Sequence, residues 1–278
     1  MPYRIQQLFR KVRYLWWLWR IHYGWDITLN TDASATVILS SYNYKRMQNI
    51  EPIIRSVLRC RFIDKIIVTN NNPQIDIHNW VKIEDPRIQL INQPFRRPCG
   101  YRWILAKEEP GRYFLAIDDD LFLFPEQLRK LFYQLTQQPE VPHGLSGSIY
   151  KPPEAANLDQ PQHSHFRQKE MEVDVLHEVY AVTTDHVKNY FEYSNKLKAH
   201  QGLSSDMFYS SGDSVTLADA DDILISQGGM DRPRIHNFGG LLACPTAHEI
   251  GVAVWKKEDF TDKRLKILEA IKENQAPS

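Results

Sequence analysis

The chain has little cysteine, no net charge and no long unbroken apolar run, and each shortage removes a class of protein. Its three cysteines, Cys60, Cys99 and Cys244, stand far apart in 278 residues. No Cys-x-x-Cys pair occurs, so neither a disulfide framework nor a zinc site is indicated, and a reducing, cytoplasmic setting is expected. Lysine plus arginine and aspartate plus glutamate both number 34. That balance favours no nucleic-acid partner, and any nucleotide bound is expected to be a small ligand. The apolar stretch near the N-terminus is broken by charge too often to span a bilayer, and it lacks the cleavage site of a secretory signal. There is no internal repeat and no low-complexity tract. At 42% hydrophobic residues, the length suits one large α/β domain or two small ones.

Acid is also missing at the start, where the first carboxylate is Asp26. Before it, Leu8, Phe9, Val12, Leu15, Trp16, Trp17, Leu18 and Trp19 are mixed with Arg4, Arg10, Lys11, Arg13 and Arg20. Residues 1–32 therefore read as a basic aromatic arm, ending in the polar linker Thr28 to Ser34. Two readings of it stay open. Residues 1–25 lie on an anionic membrane surface, which makes the protein peripheral on the inner face of a membrane, or the tryptophans pack on the domain or on a second copy.

Residues 33–278 read as one α/β domain, with halves at 33–137 and 138–278. Thr36 to Ser40 is a β-branched strand, and a helix is expected from about Lys45 to Arg59, with Ile50, Ile53, Ile54, Val57 and Leu58 at helical spacing. Lys65 to Thr69 and Arg87 to Ile91 are further strands, Tyr101 to Glu109 a helix, and Arg112 to Ile117 a fourth strand. Such alternation predicts a mostly parallel central sheet flanked by helices. Ligands on such sheets bind beyond the carboxyl ends of the strands. Three polar turns fall there: Ser40 to Asn43, Asn70 to Asn72, and Asp118-Asp119-Asp120. Three adjacent carboxylates need a counter-charge, and a divalent metal carrying a diphosphate supplies one. The plainer reading is a solvated acidic turn before the amphipathic helix Pro125 to Gln137.

Val37-Ile38-Leu39-Ser40-Ser41-Tyr42-Asn43-Tyr44-Lys45-Arg46 resembles the first strand and turn of nucleotide-sugar glycosyltransferases of the GT-A fold, a Rossmann-type domain. Ile66 to Asn71 resembles their second. Tyr101-Arg102-Trp103, followed by Leu115-Ala116-Ile117-Asp118-Asp119-Asp120, is similar to the exostosin-like glycosyltransferases, where an Asn-Arg-Phe-like segment precedes a Val-Asp-Asp-Asp strand end. The resemblance covers Ala35 to Gln134 and a shorter stretch around Asp222. It departs in lacking the family's membrane anchor and in reading Thr-Asn-Asn where the family has an aromatic before Asn-Asn. The resemblance implies a DXD-type, metal-dependent transfer of a hexose or N-acetylhexosamine from a UDP-sugar to an acceptor hydroxyl, with Mn²⁺ (or Mg²⁺) and retention of configuration. A glycan or a lipid-linked sugar is the expected acceptor. By resemblance, Asp120 is the first metal ligand, and Asp118 serves the ribose, the sugar and the metal. Asp119 faces either way. Ser41, Asn43, Arg46 and Asn71 belong around the nucleoside, and Arg102 on the nucleotide or donor sugar.

In the second half, Gly144 to Tyr150 and Val173 to Thr183 are strand-like, and 151–167 reads as a polar loop. His163, His165 and His177 keep no metal spacing and read as loop or surface histidines. Asp185 is the expected cap of a helix through Leu197. Asp221-Asp222-Ile223 resembles the acidic segment that exostosin-like enzymes bring to the acceptor side, so Asp222, then Asp221, are the candidate catalytic carboxylates. Acids at a helix start also simply suit its dipole. By resemblance, His236, ahead of His248, is a metal candidate, and Arg264 meets the diphosphate. An inverting family-two-type transferase shares the same front half, with Asp222 as its base. A nucleotidyltransferase normally carries a Gly-rich phosphate loop, and Ser40 to Arg46 contains no glycine. A catalytically silent, membrane-associated nucleotide-sugar binding protein is the remaining alternative.

Overall fold

All seven residues of β1, Ala35–Ser41, are buried, which only a strand covered on both faces allows. The computed structural model of the chain describes residues 3–151, 163–201, 220–239, 242–244 and 260–275. Around β1 lies a nine-stranded sheet. β2 (Ile63–Asn70), β3 (Ile88–Asn92) and β4 (Tyr113–Asp118) run parallel to β1 in the order β3-β2-β1-β4. Beyond β4 most pairs are antiparallel. β9 (Val175–Thr183) is antiparallel to β4 and to β6 (His143–Tyr150), which carries β7 (His163–Arg167). β10 (Arg234–Ile235) and β8 (Met171–Glu172) close that side. The four parallel strands are those expected from the sequence, while the second half adds antiparallel ones. The segment expected as loop, 151–167, contributes β7.

Side chains alternate across the sheet. Val37, Leu39, Leu115 and Ile117 face one core, and Ile38, Phe114 and Ala116 the other. The first core is covered by α1 (Tyr3–Tyr23), α2 (Ile50–Leu58) and α4 (Pro125–Gln137). The second is covered by α3 (Tyr101–Glu108), α5 (Thr184–Gln201), α6 (Asp221–Ser226) and α7 (Phe260–Gln275).

The helix expected over Lys45 to Arg59 is in two pieces, a 3₁₀ stretch Tyr44–Asn49 and then α2. Pro52 has no N–H and its ring clashes with the carbonyl four residues back, so an α-helix cannot run through Gln48. Proline is tolerated only in a first turn, and α2 starts there. Asp185 is not the cap of α5. It lies in the first turn beside Lys188, and the Thr183 hydroxyl accepts the His186 N–H at 3.4 Å.

The N-terminal arm is part of the domain. Trp17 and Ile21 are buried in the first core. Trp17 stacks on Phe122 at 4.2 Å and its Nε1 donates to the Leu123 carbonyl at 2.8 Å. Arg20 turns inward to Glu126 at 2.8 Å. Gly24 follows the helix end, where a Cβ would lie 2.3 Å from Arg20 Nη1 and 2.4 Å from the Arg20 carbonyl oxygen.

Candidate active site at the carboxyl ends of β1 and β4

The strand order places β2 and β3 on one side of β1 and β4 on the other. Connections diverge between β1 and β4, and open α/β sheets bind ligands at that switch point. Register sets the strand ends level: Ser41 opposite Asn70, and Ser40 opposite Asp118. The three polar turns therefore meet. Asn71 N donates to the Ser41 carbonyl at 2.7 Å, and Asn72 Nδ2 to the Tyr42 carbonyl at 3.1 Å.

The triplet finds most of its counter-charge within the protein. Arg46 Nη1 is 3.0 Å from Asp119 Oδ1 and its Nη2 is 3.1 Å from Asp120 Oδ2. Arg102 Nη1 is 2.9 Å from Asp118 Oδ1. Asp119 faces inward, where Ser41 Oγ donates to it at 2.7 Å and Asn49 Nδ2 donates to its carbonyl. Burial pushes its carboxyl up against the pull of Arg46 and Ser41. Burial, then the charge of Asp118, pushes Asp120 up to about 7. Three carboxylates against two arginines leave Asp120 short of positive charge. Its backbone is held from beyond the triplet: β5 (Leu121–Phe122) pairs with β11 (Leu242–Ala243), and Cys244 N donates to the Asp120 carbonyl at 2.8 Å. Trp17 and Ser56 both bond the Leu123 carbonyl, so α1 and α2 brace the same segment.

Asp221 and Asp222 reach the same place from α6. Gly100, at the start of α3, admits Asp221, whose Oδ1 would lie 2.1 Å from a Cβ there. The Tyr190 hydroxyl donates to that oxygen at 2.6 Å, and burial pushes Asp221 up to about 6. Asp222 Oδ2 lies 2.8 Å from Arg264 Nη2 and 3.2 Å from His177 Nδ1. Burial acts to raise Asp222, but Arg264 and His177 outweigh it and hold the carboxyl below its usual range. Tyr180 joins the two acidic groups. Burial first, then the charges of Asp118 and Asp222, push its phenol well up, and Arg102 lies over its ring at 5.6 Å.

Several expected ligand contacts are internal supports. Ser41, Asn71, Asp119, Arg102 and Arg264 are all buried. Asn71 Oδ1 accepts from Thr69, and Asn43 Oδ1 caps the 3₁₀ stretch by accepting the Lys45 N–H. Arg102, with 4% of its side chain exposed, holds Asp118 from behind rather than lying open to a ligand. The groups that keep access are Arg46, Asp118, Asp120 and Asp222, whose side chains are 20–30% exposed.

His236 is not brought to the triplet. It sits beside β10, three strands from β4, and both ring nitrogens are engaged, Nε2 by His143 at 2.9 Å and Nδ1 by Glu170 at 2.6 Å. It is withdrawn from the metal set. Asp219 and His248 lie outside the described residues.

His177, expected to be a loop or surface histidine, is instead a strand residue at the site, and its Nε2 meets Ser148 Oγ at 2.8 Å. Glu178 has φ 67°, a left-handed conformation rare for this residue type. Opposite Leu145, β9 fits two residues, Glu178 and Val179, where one is normal. Consecutive strand residues point to opposite faces, but this bulge puts His177 and Glu178 on the same one. Glu178 accepts from Ser146 Oγ at 2.8 Å and pairs with Arg167, which is opposite Ser146 on β7. Bulges re-aim side chains next to active sites. The spacing of His163 and His165, two apart on β7, was the available period-two signal. On the β1 side, Arg96 lies over the exposed Tyr42 ring at 4.5 Å.

Asp118 and Asp120 offer carboxylate oxygens, which suit a hard divalent cation that takes few protein ligands plus substrate phosphates. Among the described residues no group of three or more His, Cys, Asp or Glu side chains forms a complete metal site. Searches against family models and characterised proteins give no match. One solved structure with a similar course is GalNAc-T7 with UDP, GalNAc and Mn²⁺, at 7% identity and a TM-score of 0.49, covering 85% of this chain and 48% of that one. The chain thus spans about half the length of that protein, and a likeness this weak carries no functional argument.

Proposed function

We propose that the chain is a glycosyltransferase of GT-A type, taking a hexose or N-acetylhexosamine from a nucleotide-sugar, with UDP as the nucleotide, and passing it to a hydroxyl of a glycan or lipid-linked acceptor. One observation carries this reading. Two acidic groups about a hundred residues apart, Asp118–Asp120 and Asp221–Asp222, share one charge network through Arg102 and Tyr180 at the switch point. A transferase needs such a pair, one group for the diphosphate and one for the sugar.

In this reading the nucleoside lies over the β1 turn beside Tyr42, Asn43 and Arg46. Asp118 and Asp120 are the residues that would hold Mn²⁺ or Mg²⁺, whose charge would offset that of the departing diphosphate. Arg102 and Arg46 fix those carboxylates in place. Asp222 faces the anomeric carbon and stabilises the positive charge that develops there, and Arg264 and His177 keep it ionised. A carboxylate held below its usual pKa range is a poor general base. That favours retention, with Asp222 acting electrostatically, over the inverting reading in which it removes the acceptor's proton. Asp221, held by Tyr190, positions its neighbour. The three free thiols fit a reducing, cytoplasmic setting, which we propose as well. The test is incubation of the protein with UDP-sugars, Mn²⁺ and a panel of acceptors, following UDP release and product anomer by NMR. Retained configuration is expected. An inverted product removes the retaining assignment, and no release from any nucleotide-sugar, even to water, favours the silent binding protein.

A further inference from the structure

The helix α1 has two faces, and the proposed chemistry uses neither directly. Trp17, Ile21 and Arg20 face the domain and are buried. On the opposite side Leu8, Val12, Leu15, Trp19 and Tyr23 follow one another at steps of three and four residues, and Trp16 stands four after Val12 and three before Trp19, which aligns them along one face. Their exposure runs from 43% for Trp19 to 80% for Tyr23. Trp16 and Trp19 stack on each other at 4.9 Å, and both are about half exposed. At 1.5 Å per residue the ridge is ~22 Å long. A soluble domain rarely leaves such a stripe open without a partner for it.

Charge and side-chain type indicate the partner. The helix carries Arg4, Arg10, Lys11, Arg13 and Arg20 and no acid. Arg20 is spent on Glu126, and Arg13 lies over the Phe124 ring. By sequence Arg4, Arg10 and Lys11 add to the helix's positive charge, and Lys11 is exposed. Asp26, the first acid after it, is already paired with Arg59 and Arg61. A second copy docking through this ridge would bring identical cations together, which disfavours a dimer. Tryptophan and tyrosine prefer the boundary between water and hydrocarbon. No helix among the described residues is long and apolar enough to cross a membrane, so the ridge suits a helix lying in the bilayer surface.

We propose that the outer face of α1 is a docking surface for an anionic lipid bilayer. This goes beyond the enzymatic reading and does not depend on it. The inner face of the same helix bonds the Leu123 carbonyl, just after the acidic triplet, so the lipid-facing ridge is tied rigidly to the strand end that forms the crevice.

The test is co-sedimentation of the full chain with sucrose-loaded vesicles, phosphatidylcholine alone or mixed with phosphatidylglycerol. Each cation near an anionic surface strengthens partitioning about fivefold, so two or three predict a gain of at least roughly tenfold with the mixed vesicles. Binding should fall as salt rises, because screening acts within ~10 Å at 0.1 M. Tryptophan emission should shift to the blue. Trp16→Glu with Trp19→Glu should lower binding at least tenfold while leaving the thermal midpoint nearly unchanged, since both side chains are exposed. Leu8→Ser with Val12→Ser is the second variant, should the first fail to fold. Equal pelleting with neutral vesicles, or undiminished binding by folded variants, overturns the proposal. Absent lipid binding together with a dimer that the same substitutions dissolve overturns it in favour of contact between copies. Pelleting reads no turnover, so failure of the transferase reading leaves this result intact.

Discussion

Replacing Asp222 with asparagine keeps the shape of the side chain and removes its charge. Its Oδ2 is 2.8 Å from Arg264 and 3.2 Å from His177. The Arg264 side chain is only 3% exposed, so the loss falls on a buried guanidinium. Removing one partner of a buried pair costs about 3–5 kcal/mol. An amide oxygen still accepts a hydrogen bond, and the Asp222 side chain keeps 21% exposure, so the expected loss is roughly 1–3 kcal/mol, or a few degrees in Tm. Turnover should fall on the order of 10²-fold or more, the scale of one electrostatic contribution. Donor affinity should be nearly retained, because a group used only in the transition state lowers kcat and kcat/KM together. The two losses have different origins, and a second substitution separates them. Arg264→Met added to Asp222→Asn removes the cation that has lost its carboxylate and should return much of the stability without returning turnover. Thermal melts, calorimetric titration of donor and a transfer assay on the same preparations read all three. Near-normal turnover by Asp222→Asn refutes the catalytic role. A double variant no more stable than the single one refutes the ion-pair account.

Three further outcomes follow from the site's geometry. Burial and Asp118 push Asp120 up to about 7, above the unfolded value near 3.9. Between those values the native state binds more protons than the unfolded, so this group removes stability as pH rises from about 4 to 7. Asp120→Asn should therefore outlast the wild type in urea by on the order of a few kcal/mol at pH 8 and show no gain at pH 4; a difference that ignores pH contradicts this. Glu178→Gly relieves a left-handed residue that costs about 1–3 kcal/mol but gives up Ser146 and Arg167, so stability should change little while turnover drops. Unchanged turnover would reduce the bulge to a packing feature. Gly100→Ala places a Cβ 2.1 Å from Asp221 Oδ1, and loss of activity with a lowered Tm is expected; a wild-type melt would show that α3 and α6 are not packed this closely.

The front half was legible because its signals are local. β1 and β2 carry β-branched runs and β4 an apolar one, their central residues are buried, and the polar turns sit at their ends in register. Pro125 marks the start of α4, which runs to Gln137 as the apolar spacing predicts. What was missed depends on contacts far apart in sequence. Nothing near Arg102 announces that it serves Asp118 from behind, and nothing near His236 announces His143 and Glu170 as its partners. The 3₁₀ stretch before α2 was readable from Pro52, but the hydrophobic period alone suggested one helix. His177 reads from the sequence as a loop or surface histidine and Glu178 carries no signal at all, and the bulge in β9 turns both to the same face. The arm is the mixed case: composition marked it as basic and aromatic, while the division into a buried face and an open one needed the core beneath it.

The central claim is that the crevice between β1 and β4 binds a nucleoside diphosphate through the acidic triplet. A thermal-shift titration with UDP, GDP, dTDP and CMP, with and without Mn²⁺, tests it most directly. Ligand at 100-fold over its Kd should stabilise the native chain by about 2.7 kcal/mol. The account predicts that UDP does so only with Mn²⁺, and that Asp120→Asn abolishes the shift while melting cooperatively on its own. No shift with any nucleotide, or an equal shift in Asp120→Asn, would contradict it.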